Sequence, residues 1–302
     1  MSEARQVPEL DAPAAAELAS KYGLSKMGVR PPLGEYVRSV WKRRQFVGVL
    51  ARSKAYAENQ NTYLGQFWAV LTPLMNALVY VLIFGVILDA TRGMENVVGF
   101  IVVGVFIYRF FSDSVTQSAK SVPKNRNLVR SLQFPRAVLP LSAVLAQLAS
   151  LLPAVLVMAG ITWASSYFMA HTDGGPNWRW LLIVPAIPLT YVFSTGCGFI
   201  LARICSRVPD VLNLLPFVLR ILMYGSGVLF SIDHYVSHPA IASVLEYQPV
   251  AIYLNLARQA MLEEPAIPVD WVKWVWAVGW AILFFIVGFI YFWRDEARYG
   301  RE

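Results

Sequence analysis

The chain has 302 residues, 57% of them hydrophobic, and a formal net charge of +7. This composition is typical of a polytopic membrane protein and excludes an ordinary soluble domain. We interpret the basic excess as a sign of membrane orientation and lipid contact, which argues against nucleic-acid binding. The two cysteines, Cys197 and Cys205, fit small apolar fillers, and they support neither a disulfide framework nor a metal site.

The chain is predicted to begin with a tail and a surface helix. Residues 1–34 are rich in alanine, proline and charge and lack an apolar signal region, which predicts a flexible cytoplasmic tail. Residues 35–55 predict an amphipathic interface helix on the cytoplasmic membrane surface, with an ordinary solvated helix as the alternative. Its apolar face would carry Val37, Val40, Trp41 and Val47, and its basic face Arg38, Lys42 and Arg43.

Six apolar stretches follow, and none contains an aspartate, glutamate or histidine. Most reach the roughly 20 residues that a helix needs to cross a bilayer. They predict an all-α integral membrane protein with a six-span transmembrane domain over residues 67–293 and a cytoplasmic C-terminal tail over residues 294–302. The predicted spans are Phe67–Leu88, Val97–Ser112, Ala137–Met169, Trp180–Arg203, Val211–Phe230 and Trp271–Trp293. Pro153, Pro185 and Pro188 predict kinks.

The distribution of basic residues predicts the orientation. Most of the 26 lysines and arginines fall before Phe67, between Ser112 and Ala137, near Arg203, or after Trp293. These segments all lie on one side of a six-span topology. The chain is predicted to lie in the cytoplasmic (inner) membrane. By the positive-inside rule, both of its termini are predicted to be on the cytoplasmic side.

Two of the connections are predicted to carry short helices. In the basic internal loop, the residues between Pro123 and Pro135 fit a helix around Asn125–Gln133. The long external loop fits two helices, Ala240–Leu245 and Val250–Met261. The second has an apolar stripe and would lie at the outer interface or dip back between the spans. That stripe consists of Val250, Tyr253, Leu254, Ala257 and Met261.

The sequence contains few residues suited to chemistry. It has no phosphate-cradling GxxxxGK[ST] loop, and its acid-free spans argue against ion-driven transport. The candidate carboxylates are scattered over both sides, which argues against a membrane enzyme; they are Asp89, Asp113, Asp210 and Asp233. His234 and His238 lack a third metal ligand. The small-residue patches at Ser194–Gly198 and Gly225–Gly227 predict close helix packing, and Glu263 and Glu264 are expected at a solvated surface.

Two arginines inside the spans stand out. Arg109 can either snorkel toward the cytoplasmic end or line a path. Arg220 lies deeper, so it is expected to face a bundle interior or an aqueous path, where it could meet phosphate or sugar hydroxyls; a bond to backbone carbonyls is the alternative. Aromatic rings on the first two spans could offer flat faces to sugars. The resulting substrate-path hypothesis comprises Arg220, Arg109, Trp68, Tyr80, Phe84, Phe106 and Tyr108.

Three stretches together resemble the type-2 ABC exporter permeases, which include the O-antigen and teichoic-acid exporters. They are YLGQFWAVLTPLMNALVYVLIFG at Tyr63–Gly85, NLVRSLQFPRAVLPL at Asn127–Leu141, and the charged end FWRDEARYGRE. The resemblance covers residues 36–302. Gln248-Pro249 replaces a common Asn-Pro, and Arg220 replaces a neutral polar residue. The tail and the tryptophan-rich style are similar to the actinobacterial exporters of lipid-linked cell-wall galactan.

The resemblance implies a homodimer bound to two separate ABC ATPase subunits, which bind the ATP and magnesium, so the chain itself needs no cofactor. Its substrate would be a polyprenyl-diphosphate-linked polysaccharide. Lys120–Gln133 would hold the coupling helix, and Ser231–Met261 two external gate helices. The expected ATPase-coupling residues are Lys124, Asn127, Leu128, Phe134, Pro135 and Arg136. A drug or small-lipid exporter, a membrane enzyme acting on polyprenyl-linked sugars, and a scaffold remain as alternatives.

Overall fold

The computed structural model describes residues 21, 31–57, 65, 67–87, 94–170, 175–232 and 238–299. Every regular element within them is helical, as predicted. In chain order the helices are α1 Leu33–Lys42, α2 Arg44–Ala57, α3 Phe67–Tyr80, α4 Val97–Lys124, α5 Arg126–Ser131, α6 Val138–Ser165, α7 Ile183–Arg207, α8 Val211–Gly225, α9 Pro239–Tyr247, α10 Pro249–Met261 and α11 Trp271–Trp293. Short π-helical turns follow α3 (Val81–Ile87) and α6 (Ser166–Ala170), and a 3₁₀ turn, Trp178–Leu182, leads into α7.

In the described part of the chain, four helical segments are long and apolar enough to cross a membrane. They are Val97–Lys124, Val138–Phe168, Trp178–Arg207 and Trp271–Trp293, which match four of the six predicted spans. The first and fifth predicted spans are shorter apolar helices, Val70–Phe84 and Val211–Gly225. Six complete spans therefore remain a prediction.

Helix α4 is the buried centre of the bundle, and it is longer than predicted. It continues from Ser112 to Lys124 because Ser114 and Ser118, both fully buried, make a small-residue face. A Cβ on Gly198 of α7 would lie only 2.7 Å from Ser118 Oγ, so the two helices approach closely there. Much of the predicted internal loop is thus helical, and only α5 within it matches the short helix predicted there.

The first turn of α4 corrects the prediction for Glu264. The amide groups at a helix N-terminus lack partners within the helix and need acceptors. The side chain of Asn96 accepts from Gly99 N at 2.8 Å, and the Glu264 carboxylate accepts from the backbone N–H groups of Asn96 and Glu95. Glu264 is therefore buried and is not a solvated surface residue.

Helix α8 ends five residues earlier than predicted. Gly225 is its last residue, and Gly227 adopts a φ of +67°, a left-handed conformation that favours glycine and ends the helix. The Gly225–Gly227 patch therefore forms a turn, and its prediction as a helix-packing patch was wrong. A Cβ on Gly225 would meet nothing within 4 Å.

The other small-residue patch does pack helices. Gly196 of α7 and Gly288 of α11 face each other, and a Cβ on Gly288 would overlap the carbonyl oxygen of Gly196. A Cβ on Gly196 would overlap the backbone of Phe284 in the same way. The two backbones are therefore in direct contact, which confirms close packing at Ser194–Gly198.

Helix α10 inserts into the bundle between α4, α7 and α11. Every residue of the predicted apolar stripe is buried, and so are most of its other residues. The hydroxyl of Tyr253 donates to Ala277 O of α11 at 2.7 Å, and its ring stacks on Phe193 of α7. Of the two locations considered for this helix, the one between the spans is the one observed, and the predicted pair of short helices is present as α9 and α10.

The predicted interface helix is two helices, since α1 and α2 are separated by a turn at Arg43. The residues that face the protein also differ from the predicted apolar face. Tyr36 is buried and Val40 partly buried, whereas Val37 and Trp41 are exposed, Trp41 to 69%. Packing against the bundle therefore buries Tyr36 and part of Val40, and it leaves the apolar side chains of Val37 and Trp41 exposed on the outside of the chain.

The predicted kink at Pro185 has a different outcome from the other prolines. Pro185 lies in the first turn of α7, where a missing N–H costs little.

Gly288→Ala tests the contact between α7 and α11. The added methyl group would force the two backbones apart, and overpacking of this kind costs roughly 1–3 kcal/mol. We expect a lower midpoint of thermal unfolding in detergent. The matched control is Gly279→Ala on the same helix, where a Cβ meets nothing within 4 Å. Equal midpoints for the two variants would contradict the contact.

Candidate functional site

A cleft between α3, α4 and α6 contains part of the predicted substrate path. Trp68 and Thr72 line it from α3, Phe106 and Arg109 from α4, and Gln147 from α6. Arg109 Nε lies 3.2 Å from Asp113 Oδ2, one helical turn away, and the two side chains are 34% and 41% exposed. The arginine therefore faces the cleft with a carboxylate beside it. Such a pair contributes little to stability because solvent screens it, but it gives the cleft a polar end.

The other predicted path aromatics hold helices together instead of lining this cleft. The Tyr108 hydroxyl donates to Leu219 O, which joins α4 to α8. Tyr80 meets Phe84 edge-on with ring centroids 6.4 Å apart, and its hydroxyl lies 3.9 Å from Met223 Sδ of α8. The predicted set thus divides into a cleft group and a group between α8 and its neighbours.

Arg220 points out of the bundle of this chain. It is exposed on α8, on the same face as Phe217 and Ile221, which are 63% and 73% exposed. A position inside the bundle of a single chain is therefore wrong for Arg220, because α8 turns that side outward. An aqueous path outside the single bundle remains a prediction.

A buried arginine that was not predicted, Arg258, lies on α10. It is 3% exposed, and its guanidinium lies 3.5 Å from the ring centroid of Phe100. Its Nη2 donates to Val228 O at 2.8 Å and its Nε to Phe100 O at 3.3 Å. Gly104 leaves room for it, since a Cβ there would lie 2.6 Å from Nη2. The apolar stripe of α10 covers only one side of the helix, and Asn255, Arg258 and Gln259 share another side. No local pattern therefore indicated that Arg258 is buried.

The predicted coupling residues also divide into two groups. Lys124 and Asn127 are exposed at the end of α4 and on α5, and Leu128 is partly buried. Phe134 is 4% exposed and meets the ring of Phe46 on α2 edge-on at 5.6 Å. The first group is available to a partner protein, whereas Phe134 packs inside the chain.

Arg136 belongs to a buried polar group that we call the Glu296 cluster, formed by Tyr36, Arg136, Ala137 and Glu296. The Tyr36 hydroxyl donates to Glu296 Oε2 at 2.6 Å and accepts from Ala137 N at 3.1 Å. Arg136 N donates to Glu296 Oε1 at 2.9 Å, and its Nη1 lies 3.6 Å from the same oxygen. Burial raises the pKa of Glu296, although the bonds from Tyr36 and Arg136 oppose this. The cluster joins α1, the segment after α5 and the end of α11.

The neighbouring Asp295 fixes the end of α7. Arg207 Nε donates to Asp295 Oδ2 at 2.6 Å, and Arg203 Nε lies 3.4 Å from the same oxygen. Burial alone would raise the pKa of Asp295, but the bond from Arg207 and the nearby arginine charges hold it below its usual value. Trp293 Nε1 donates to Pro31 O at 3.0 Å. The first and last long described segments therefore meet at one end of the bundle, which we call the basic end.

The other residues predicted to be suited to chemistry lie partly within the described part of the chain. Asp210 is exposed, and no group of three metal-ligating side chains occurs among the residues described. Cys205 is fully buried and Cys197 partly buried, and both are free. Asp89, Asp233 and His234 lie outside the described residues.

The amino-acid sequence matches a known protein family and several of its curated members. A family model described as ABC-2 type transporter matches residues 46–262. An O-antigen export system permease protein, RfbA of Myxococcus xanthus, is 26% identical over 235 residues, 77% of this chain and 85% of the relative. A Klebsiella pneumoniae RfbA is 24% identical over 64% of this chain and 70% of its own length. The polysialic acid transport protein KpsM of Escherichia coli is 24% identical over 66% of this chain and 74% of its own length.

Phe134→Ala distinguishes packing from partner contact at the Phe-Pro-Arg motif. Truncation of a buried phenylalanine costs about 3–5 kcal/mol, so we expect the purified chain to unfold at a clearly lower temperature even without a partner. Leu132→Ala is the matched control in the same segment, because Leu132 is 50% exposed. An unchanged unfolding temperature for Phe134→Ala would show that this side chain serves a partner alone.

Proposed function

Because the chain belongs to the ABC-2 type transporter family, we propose that it is the permease subunit of an ATP-driven polysaccharide exporter. The family match over residues 46–262, with relatives named for O-antigen export and polysialic acid transport, carries the proposal. The chain is then a transporter subunit and not an enzyme. Since its sequence has no phosphate-binding loop, ATP hydrolysis belongs to a separate ABC ATPase.

We propose that the basic end faces the cytoplasm and binds the ATPase through α5. The exposed Lys124 and Asn127 offer polar contacts there, and Leu128 adds a half-buried apolar one. Behind them, Phe134 packs against α2, and the backbone N–H of Arg136 donates to the carboxylate of Glu296. A movement of α5 would therefore pull directly on the interface helices and on α11. In this account Phe134, Pro135 and Arg136 transmit the ATPase movement, while the contact itself is made by α5.

The proposed substrate is a polysaccharide attached to a polyprenyl diphosphate, with cell-wall galactan as the specific candidate. A homodimer would place the outward-facing Arg220 at a path between the two copies, next to Tyr80 and Phe84. A guanidinium there suits a diphosphate, and the rings suit sugar faces. Arg109 and Trp68 would meet substrate only in the α3–α4–α6 cleft.

Depletion of this chain in its host tests the proposed function. Export failure should make the lipid-linked polymer accumulate on the cytoplasmic side, where it can be extracted and sized by gel or mass spectrometry. Restored export from a plasmid copy is the control. If no polymer accumulates and the cells instead become sensitive to drugs, the protein is a drug or small-lipid exporter of the same family.

Asn127→Trp tests the contact with the ATPase. The bulky ring would obstruct docking without disturbing the fold, because Asn127 is exposed. We expect the co-purified ATPase to fall severalfold while the unfolding temperature of the permease stays unchanged. Glu35→Trp, an exposed position on α1, is the matched control. Normal complex yield and normal ATP-dependent export from Asn127→Trp would refute the docking surface.

A further inference from the structure

A second cavity lies at the basic end, behind the interface helix, and three lysines surround it. Lys54 of α2 and Lys120 and Lys124 of α4 line it, together with the polar side chains of Gln117 and Ser121. Its volume is about 250 Å³, which is large compared with the roughly 30 Å³ of one liquid water. No carboxylate is among the described residues that line it. We call it the lysine pocket.

The positive charge of the lysine pocket is not neutralised by the contacts that the structure gives Lys54. Its ammonium donates to Leu139 O at 3.3 Å and to Ser142 Oγ at 3.0 Å, both uncharged acceptors. Burial, and then the charge of Lys124, lower its pKa to about 8. Lysines that line one cavity, where Lys54 donates to neutral acceptors, favour an anion between them, since an anion would remove the repulsion of their charges.

The lysine pocket is connected to apolar surfaces of the kind that the chain of a membrane lipid contacts. The pocket shares Gln147 with the α3–α4–α6 cleft, which in turn shares Ser150 with an open apolar cleft lined by Tyr56, Phe67 and Pro153. Tyr56 on α2 is 61% exposed, and Val49 on the same helix is 67% exposed. Exposed apolar side chains on a basic interface helix are typical of the headgroup level of a bilayer.

From this arrangement we infer that the lysine pocket binds the phosphate group of a membrane lipid, whose chain extends through the α3–α4–α6 cleft toward the open apolar cleft. Basic pockets beside membrane helices at the cytoplasmic surface suit anionic headgroups, and lysine ammonium groups act on phosphate as point charges. The phosphate could belong to an anionic phospholipid of the leaflet or to an isoprenyl diphosphate carrier. The inference rests on the membrane location of the protein and holds whichever polymer it exports.

Lipid titration of the permease–ATPase complex, followed by native mass spectrometry, tests this site. The probes are phosphatidylglycerol, farnesyl diphosphate, zwitterionic phosphatidylcholine and inorganic diphosphate. We expect one or both of the first two to bind, and phosphatidylcholine and free diphosphate to bind far more weakly. Lys54→Gln and Lys120→Gln should each weaken lipid binding about fivefold, as expected for one basic group near an anionic headgroup. Whichever lipid responds to these substitutions identifies the source of the phosphate.

The variants separate a binding site from a folding defect and from general surface charge. Lys120 is exposed, so Lys120→Gln tests the site even if loss of the Lys54 bonds destabilises α2. Lys42→Gln on α1 removes an equal charge outside the pocket and should leave lipid binding unchanged. Unchanged binding in both pocket variants, or an equal loss in Lys42→Gln, would overturn the inference. So would free diphosphate that binds as tightly as the lipids. Because binding is measured without export, failure here is distinct from failure of the proposed function.

Discussion

The basic end depends on the hydrogen bonds that the buried carboxylate of Glu296 accepts. A charge removed from water must be met by donors, and here they come from Tyr36 of α1 and from Arg136 beyond α5. Three segments far apart in the sequence are therefore held at one point. The adjacent Asp295 adds the end of α7 through Arg207. Both acids lie just after the last span. The short charged tail therefore holds in place the surface that we propose as the ATPase contact.

This organisation would allow a membrane domain whose six predicted spans contain no acids to be driven from outside. Helix α5 is only six residues long and could not transmit movement by itself. Its continuation through Phe134 and Arg136 is anchored in both an apolar core and a hydrogen-bonded cluster. Work delivered by a partner at α5 would thus reach the interface helices and α11 through contacts that resist separation.

Hydropathy and charge were sufficient to predict the helical character of the described residues, the bounds of α11 and the pair α9 and α10, because these depend on local composition. The extension of α4 was not predictable in this way, since it depends on a small-residue face meeting α7. Arg258 and Glu264 were missed for the same reason: their burial is set by elements distant in sequence. Within the candidate site, the sequence singled out Arg109 and Arg220, and their place on a substrate path stays a prediction. The outward direction of Arg220 follows from how α8 packs, which no local pattern records.

The glycine contact between α7 and α11 has a mechanical consequence. Helices separated by interlocking side chains can shift by changing rotamers, whereas two backbones in direct contact have no such layer to rearrange. The two helices should therefore move as one rigid body throughout a transport cycle. Changes of shape then fall to the short helices outside this block: α8, with its exposed face, and α3, which ends in a π-helical turn of the kind often found at functional sites. The moving parts of the protein would be α3 and α8, and the joined pair of α7 and α11 would form the frame against which they move.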